Sequence, residues 1–293
     1  MGFKNKILRT FRHQTLQVHP GIFRPASNPY ITGDTFRKNA DHIFDETQTL
    51  DVSKINNGDV VFLKTDFLEM FFSFYHKKIA NRYILITHNS DLEIGESEKK
   101  YYDDKLIHWF ASNLIVKSDQ YVSPIPLGIE NRRYLSNGRL RNFYKISKNN
   151  NKKKNKVMCS FSKHTNPNIR TELLKNVEKL SYVDTLNSNT QFDYLTNLNS
   201  YKFNLCPEGN AVETHRFWES LSLNVIPICQ ENTNNLNYFN IGVPMILVDD
   251  WNNIKNYDIE YFLKQYENIQ FSDVQKFSSF QYWWDVINAK KNN

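Results

Sequence analysis

Short, near-continuous apolar runs recur along this chain and constrain its fold more than any other feature. Asp59–Leu63 (DVVFL), Tyr83–Thr87 (YILIT), Val157–Phe161 (VMCSF), Phe203–Cys206 (FNLC) and Val243–Val248 (VPMILV) are of this kind. A strand with one wet face alternates apolar and polar residues, whereas a run that is apolar throughout suits a parallel strand buried on both faces. Segments with helical spacing follow or separate them: one through Phe67, Met70 and Phe71, then Ile169–Leu180, Phe192–Leu198, Tyr257–Tyr266 and the aromatic stretch Phe280–Ala289. Tyr182–Asp184 reads as a further strand. Leu106–Lys117 reads as helix then strand, with Ile107–Phe110 helical and Asn113–Val116 extended, and Val122–Glu130 as a strand and loop closing the first half. Residues 1–50 read as irregular, with turn signals at Pro20, Pro25, Pro29 and Gly33. This is α/β grammar.

At 293 residues with 40% apolar content the chain can build two cores. The run SKNNNKKKN within Ile146–Lys156 cannot bury apolar surface and marks a linker. It divides the chain into 1–150, 151–270 and a terminal helical segment, 271–293. A net charge of +6 admits a nucleotide, an anionic membrane surface or nucleic acid as partner without choosing among them. Cys159, Cys206 and Cys229 are odd in number and two lie in strand-like runs, which argues against a disulfide framework. No Cys/His cluster has zinc spacing, and no uncharged run is long enough to cross a bilayer, so a cytoplasmic protein is expected, with peripheral membrane contact through the basic run as an option. Met1-Gly2 is not a myristoylation site, because Lys6 stands where Ser or Thr is needed.

The densest chemistry lies in Tyr201–Ile228, YKFNLCPEGNAVETHRFWESLSLNVIPI. The strand stops at Pro207 and Gly209. Thr214 suits the N-cap of a helix whose apolar stripe is Phe217, Trp218 and Leu221, and Asn224 ends it before a second strand. Arg216 falls in the first turn, where outward N–H groups and the helix dipole favour an anion such as a diphosphate. Glu219 follows one turn deeper, where a carboxylate can accept two ribose hydroxyls. An isolated Arg–Glu pair at this spacing is commonly a solvated ion pair; its place beyond the carboxyl end of a strand, where open α/β sheets bind ligands, favours a site.

The segments YKFNLCPEGN, THRFWESL and VIPI resemble the donor-binding signature of GT-B glycosyltransferases, in particular the exostosin-like family and, more distantly, the α-1,3-fucosyltransferases. Where the fucosyltransferase pattern has Glu-Lys before Phe-Trp, this chain has His215-Arg216. The resemblance implies two Rossmann-like domains facing a cleft, with the C-terminal helix crossing back to the first domain. It implies a nucleotide-diphosphate sugar as cosubstrate, UDP first and GDP second, a glycan or glycoconjugate acceptor held by the N-terminal half, and no cofactor. Ser162, Arg170, Glu208, Thr214, Arg216 and Glu219 become the donor-binding candidates, Arg170 and Arg216 on the diphosphate and Glu219 on the ribose.

The acceptor-side base is expected from the first domain, with Asp91 the best-placed carboxylate and Asp66, Glu69, Glu93 and His88 its competitors. Asp91-Leu92-Glu93 and Asp249-Asp250 match metal-binding acidic motifs poorly, so no obligatory metal is expected. An available carboxylate and no evident nucleophile suggest an inverting displacement. The rival class is a noncatalytic nucleic-acid or glycan binder using its charge and aromatics; the aromatics fall mostly at core positions and no RNA-binding or helix-turn-helix signature occurs, so nucleic acid is not an expected partner.

Overall fold

The computed structural model describes residues 24–149 and 152–292. Lys6, Pro20 and the Asn150-Asn151 pair of the basic run lie outside the described residues.

The first sheet contains β1 (His42–Phe44), β2 (Val60–Lys64), β3 (Tyr83–His88), β4 (Leu106–Ala111) and β5 (Val122–Pro124), all parallel and in chain order. Both of its faces are covered, which explains the continuous apolar runs. Val60, Phe62, Ile84 and Ile86 join one core, while Val61, Leu63, Tyr83 and Leu85 turn to the other, where Phe71 and Phe72 of a helical stretch over 65–78 cover them. Burying one such aliphatic or aromatic side chain contributes about 1.5–3 kcal/mol.

The second sheet contains β6 (Lys154–Cys159), β7 (Val183–Thr185), β8 (Tyr201–Leu205), β9 (Ile226–Gln230) and β10 (Ile246–Val248) in the order β10-β9-β8-β6-β7, again all parallel. From β6 the chain steps outward to β7 and then returns past β6 to β8. Strand order therefore reverses between β6 and β8, and such a switch point opens a crevice at the carboxyl ends of the two strands. The result is an α/β protein of two Rossmann-like domains.

Numbered with α1 (Gly33–Asn39) first, the helices continue as α2 (Leu140–Ser147), α3 (Pro167–Val177), α4 (Gln191–Leu198), α5 (His215–Ser222), α6 (Thr233–Asn240), α7 (Ile259–Glu267), α8 (Phe271–Phe277) and α9 (Phe280–Ala289). Helix α9 crosses back to the first domain. The Phe280 amide donates to the Pro29 carbonyl at 2.9 Å and its ring packs on Phe36, while Trp283 meets Trp218 and Tyr238 of the second domain. Among the described residues no helix is long and apolar enough to cross a membrane.

Two readings of the sequence are corrected. Residues 33–44 are not irregular: the Thr32 hydroxyl accepts from the Thr35 amide at 3.1 Å to cap α1, and β1 forms the sheet edge. Elements of seven and three residues are too short to show a period. Leu106–Ala111 is strand, not helix, because it pairs with β3 and β5 and sends Trp109 and Phe110 to opposite cores. Asn113–Val116 then runs as a loop, with Asn113 in the left-handed region at φ 53° and a single bridge from Leu114 to Ile94.

Candidate active site

The crevice at the switch point is bounded by two loops, Ser160–Asn166 after β6 and Cys206–Asn210 after β8. Arg170, in the first turns of α3, ties them together. It is buried, and its guanidinium donates to the carbonyls of Ser162 (2.8 Å), Glu208 (2.8 Å) and Pro207 (3.2 Å) and to the Thr165 hydroxyl. Burial, with nearby Arg216 adding to it, pulls its pKa down to about 10, so it remains a cation. Gly209 leaves room for it, since a Cβ there would lie 3.3 Å from the guanidinium. Ser162 is exposed and caps a short turn through the His164 amide at 3.3 Å.

Arg216 is placed differently. Its Nε donates to the Ser160 carbonyl at 3.0 Å, and its terminal nitrogens make no hydrogen bond among the described residues. The guanidinium carbons of Arg170 and Arg216 lie 5.5 and 5.8 Å from the Phe161 ring, so the two cations converge on one aromatic side chain. Thr214 stands at the N-cap position in extended backbone, half-buried, without a side-chain capping bond. Glu219 is 9% exposed one turn deeper; burial pushes its carboxyl up, opposed by His215 and Arg216. Glu208 is held from the far side, its two oxygens accepting from Asn232 Nδ2 at 3.0 Å and Trp251 Nε1 at 3.1 Å.

The first domain closes over this crevice with the carboxyl ends of its own strands. Asp91, exposed in the loop after β3, accepts from Asn210 Nδ2 at 3.2 Å across the cleft. Both ring nitrogens of His88 are engaged within the first domain: its Nε2–H donates to the Pro126 carbonyl at 2.9 Å, Nδ1 accepts from the Asn89 amide at 2.6 Å, and burial pulls its pKa down to about 4. Asp66 pairs with Lys64 at 3.6 Å, and Glu69 and Glu93 are exposed.

Among the described residues no group of three or more His, Cys, Asp or Glu side chains could hold a metal ion. Asp249 instead accepts from Asn253 and Tyr257 at 2.8 and 2.9 Å, and Asp250 caps the next turn through the Asn252 amide at 2.7 Å.

Two further cleft residues escaped the reading of the sequence. His215 Nδ1–H donates to the Gly128 carbonyl of the first domain at 2.7 Å, and its Nε2 lies 3.7 Å from Glu130. Glu213 is buried and accepts from the Leu127 amide at 2.7 Å and from Tyr238 at 3.3 Å, joining the domains; burial pushes its pKa up to about 7. The departure at His215-Arg216 from the fucosyltransferase pattern was the available signal for the first. Nothing in the sequence marks Glu213 as buried.

No protein-family model matches the chain and no curated protein matches it. It is similar in structure to the α,α-trehalose 6-phosphate synthase of Burkholderia multivorans, 7% identical, over 82% of this chain and 71% of that one, with a TM-score of 0.48. It is likewise similar to the UDP-forming α,α-trehalose-phosphate synthase of Burkholderia vietnamiensis, 6% identical over 82% and 73% with a TM-score of 0.48. The pneumococcal O-GlcNAc transferase GtfA, in complex with UDP and GlcNAc, is 10% identical over 82% and 58%, with a TM-score of 0.39.

Proposed function

We propose that this protein is a glycosyltransferase moving a sugar from a nucleotide-diphosphate sugar to a hydroxyl of a glycan or glycoconjugate. The observation that carries the reading is Arg216: a cation at the first turn of a helix, beside a sheet switch point, with its terminal nitrogens unbonded among the described residues. A departing diphosphate is the leaving group such a position suits, because charge developing there meets a fixed cation and helix N–H groups. Arg170, by its bonds, supports the loops and adds charge behind Arg216. Glu219 is assigned the ribose hydroxyls and Glu208, fixed by Asn232 and Trp251, the transferred sugar. Asp91, on the opposite domain and against Asn210, is assigned the acceptor proton in an inverting displacement that needs no metal. A UDP-sugar is the first donor to test and a GDP-sugar the second. The binding-protein alternative is less favoured, since large aromatics such as Trp109, Trp218, Phe203 and Phe262 are fully buried.

A thermal-shift screen of nucleoside diphosphates, followed by transfer assays with a panel of nucleotide sugars, tests the assignment. Bound ligand at a hundredfold excess over its Kd adds about 2.7 kcal/mol. If no nucleoside diphosphate shifts the unfolding midpoint and no nucleotide sugar is consumed, the reading fails.

A further inference from the structure

The basic run that links the domains has no part in the proposed transfer, yet its described residues Asn149, Lys152, Lys153 and Asn155 line a second cavity. This cavity, of about 480 Å³, lies at the amino-terminal ends of β6 and β8, the opposite edge of the second sheet from Arg216. Its wall contains Lys152, Lys153 and Lys202 with Asn149, Asn224 and Tyr266, and no carboxylate among the described residues. The volume is within the roughly 300–1,000 Å³ typical of small-molecule sites.

Lys153 is the built part of the wall. Its ammonium donates to the carbonyls of Asn199 (2.9 Å) and Leu223 (3.0 Å) and to Asn199 Oδ1 (3.2 Å). These neutral acceptors satisfy its protons and fix its place without cancelling its charge, and burial pulls its pKa down to about 8. Lys202 lies with its ammonium 4.6 Å from the Tyr266 ring centre, and Lys152 is exposed at the rim. Three cations that share a wall without an acid repel one another, and an anion between them removes that repulsion.

We propose that this cavity binds a phosphate-bearing anion, either a soluble phosphate compound or the phosphodiester headgroup of an anionic lipid. The site is separate from the donor crevice and does not depend on the glycosyltransferase reading. An anion beside Lys153 restores its protonated form, so binding near pH 8 draws a proton from solution, which a patch of freely solvated lysines does not do.

The test titrates the full chain calorimetrically with inorganic pyrophosphate at pH 8 in two buffers of different ionisation enthalpy. In parallel the protein is sedimented with vesicles of phosphatidylcholine and phosphatidylglycerol in equal parts. Lys152→Glu/Lys202→Glu, two changes at partly or fully exposed side chains, is expected to weaken whichever probe binds by about tenfold or more while the thermal midpoint stays in place. Proton uptake is expected with it. Arg216→Glu, which removes one of the two cations of the donor crevice, is expected to leave this binding intact. Pyrophosphate binding that survives Arg216→Glu and is weakened by the double change identifies a soluble ligand, and vesicle binding with the same pattern a headgroup. Equal affinities of wild type and double variant, or no binding of either probe, overturns the proposal.

Discussion

Asn113 and Glu213 hold each other from both directions across the cleft: the Asn113 side-chain oxygen accepts from the Glu213 amide at 3.2 Å, and the Glu213 carboxylate accepts from the Asn113 amide at 3.4 Å. The same carboxylate takes the Leu127 amide, the Trp218 indole N–H and the Tyr238 hydroxyl. One acid thus answers donors from both domains. Removing it strands those donors in a buried place, so Glu213→Ala is expected to cost about 3 kcal/mol in urea unfolding, and Glu213→Gln less. An unchanged midpoint for Glu213→Ala would show that the domains are held elsewhere.

Glu213 also has a pH signature. Its carboxyl is raised in the folded state to about 7 from an ordinary 4.5, so its stabilising contribution is present below about 4.5 and is lost as pH rises towards 7. Glu213→Gln should remove that slope from a plot of unfolding free energy against pH.

His88 and His108 act in the opposite sense. Both are buried neutral, with burial pulling each pKa from 6.5 to about 4. The unfolded chain takes up their protons first, so stability is lost as pH falls from about 6.5 to 4, by about 3 kcal/mol for each. Imidazole resonances of these two residues should stay at their neutral positions until the protein approaches pH 4.

For the proposed donor crevice, Arg216→Glu is expected to abolish nucleoside-diphosphate affinity by calorimetry without unfolding the chain, since the one hydrogen bond its side chain donates among the described residues is to the Ser160 carbonyl. Asp91→Asn should lower the transfer rate by roughly a hundredfold or more, a usual contribution of a general base, with donor affinity kept. Transfer at the native rate would move the base elsewhere.

Gly128 is the backbone pivot under His215. At φ 73°, with a Cβ that would fall 2.2 Å from the Ile31 carbonyl oxygen, it admits no side chain. Gly128→Ala should cost about 3 kcal/mol or more and displace the carbonyl that His215 grips.

The parallel architecture was legible because both faces of each sheet are covered, and the runs at Asp59–Leu63 and Tyr83–Thr87 carry that fact in their composition. Helix α9 was legible to the residue, since ten amphipathic positions show a period. What stayed hidden is of two kinds. Elements such as β1 and α1 owe their form to partners far along the chain, and Leu106–Ala111 is too short and too uniformly apolar for its period to separate strand from helix. Burial of charge is the other: Glu213 and Arg170 are ordinary letters in a string, and only packing turns one into an interdomain bond and the other into a loop clamp.

The return of α9 gives the molecule an insertion topology. Phe280, docked on Pro29 and Phe36, makes the last helix part of the first body, so the second sheet is spliced into that body. A chimera that exchanges donor halves must therefore be cut twice, once in the linker and again near Ser278. A single crossover at the linker would pair a foreign terminal helix with the native Phe36 surface and report on that mismatch rather than on donor choice.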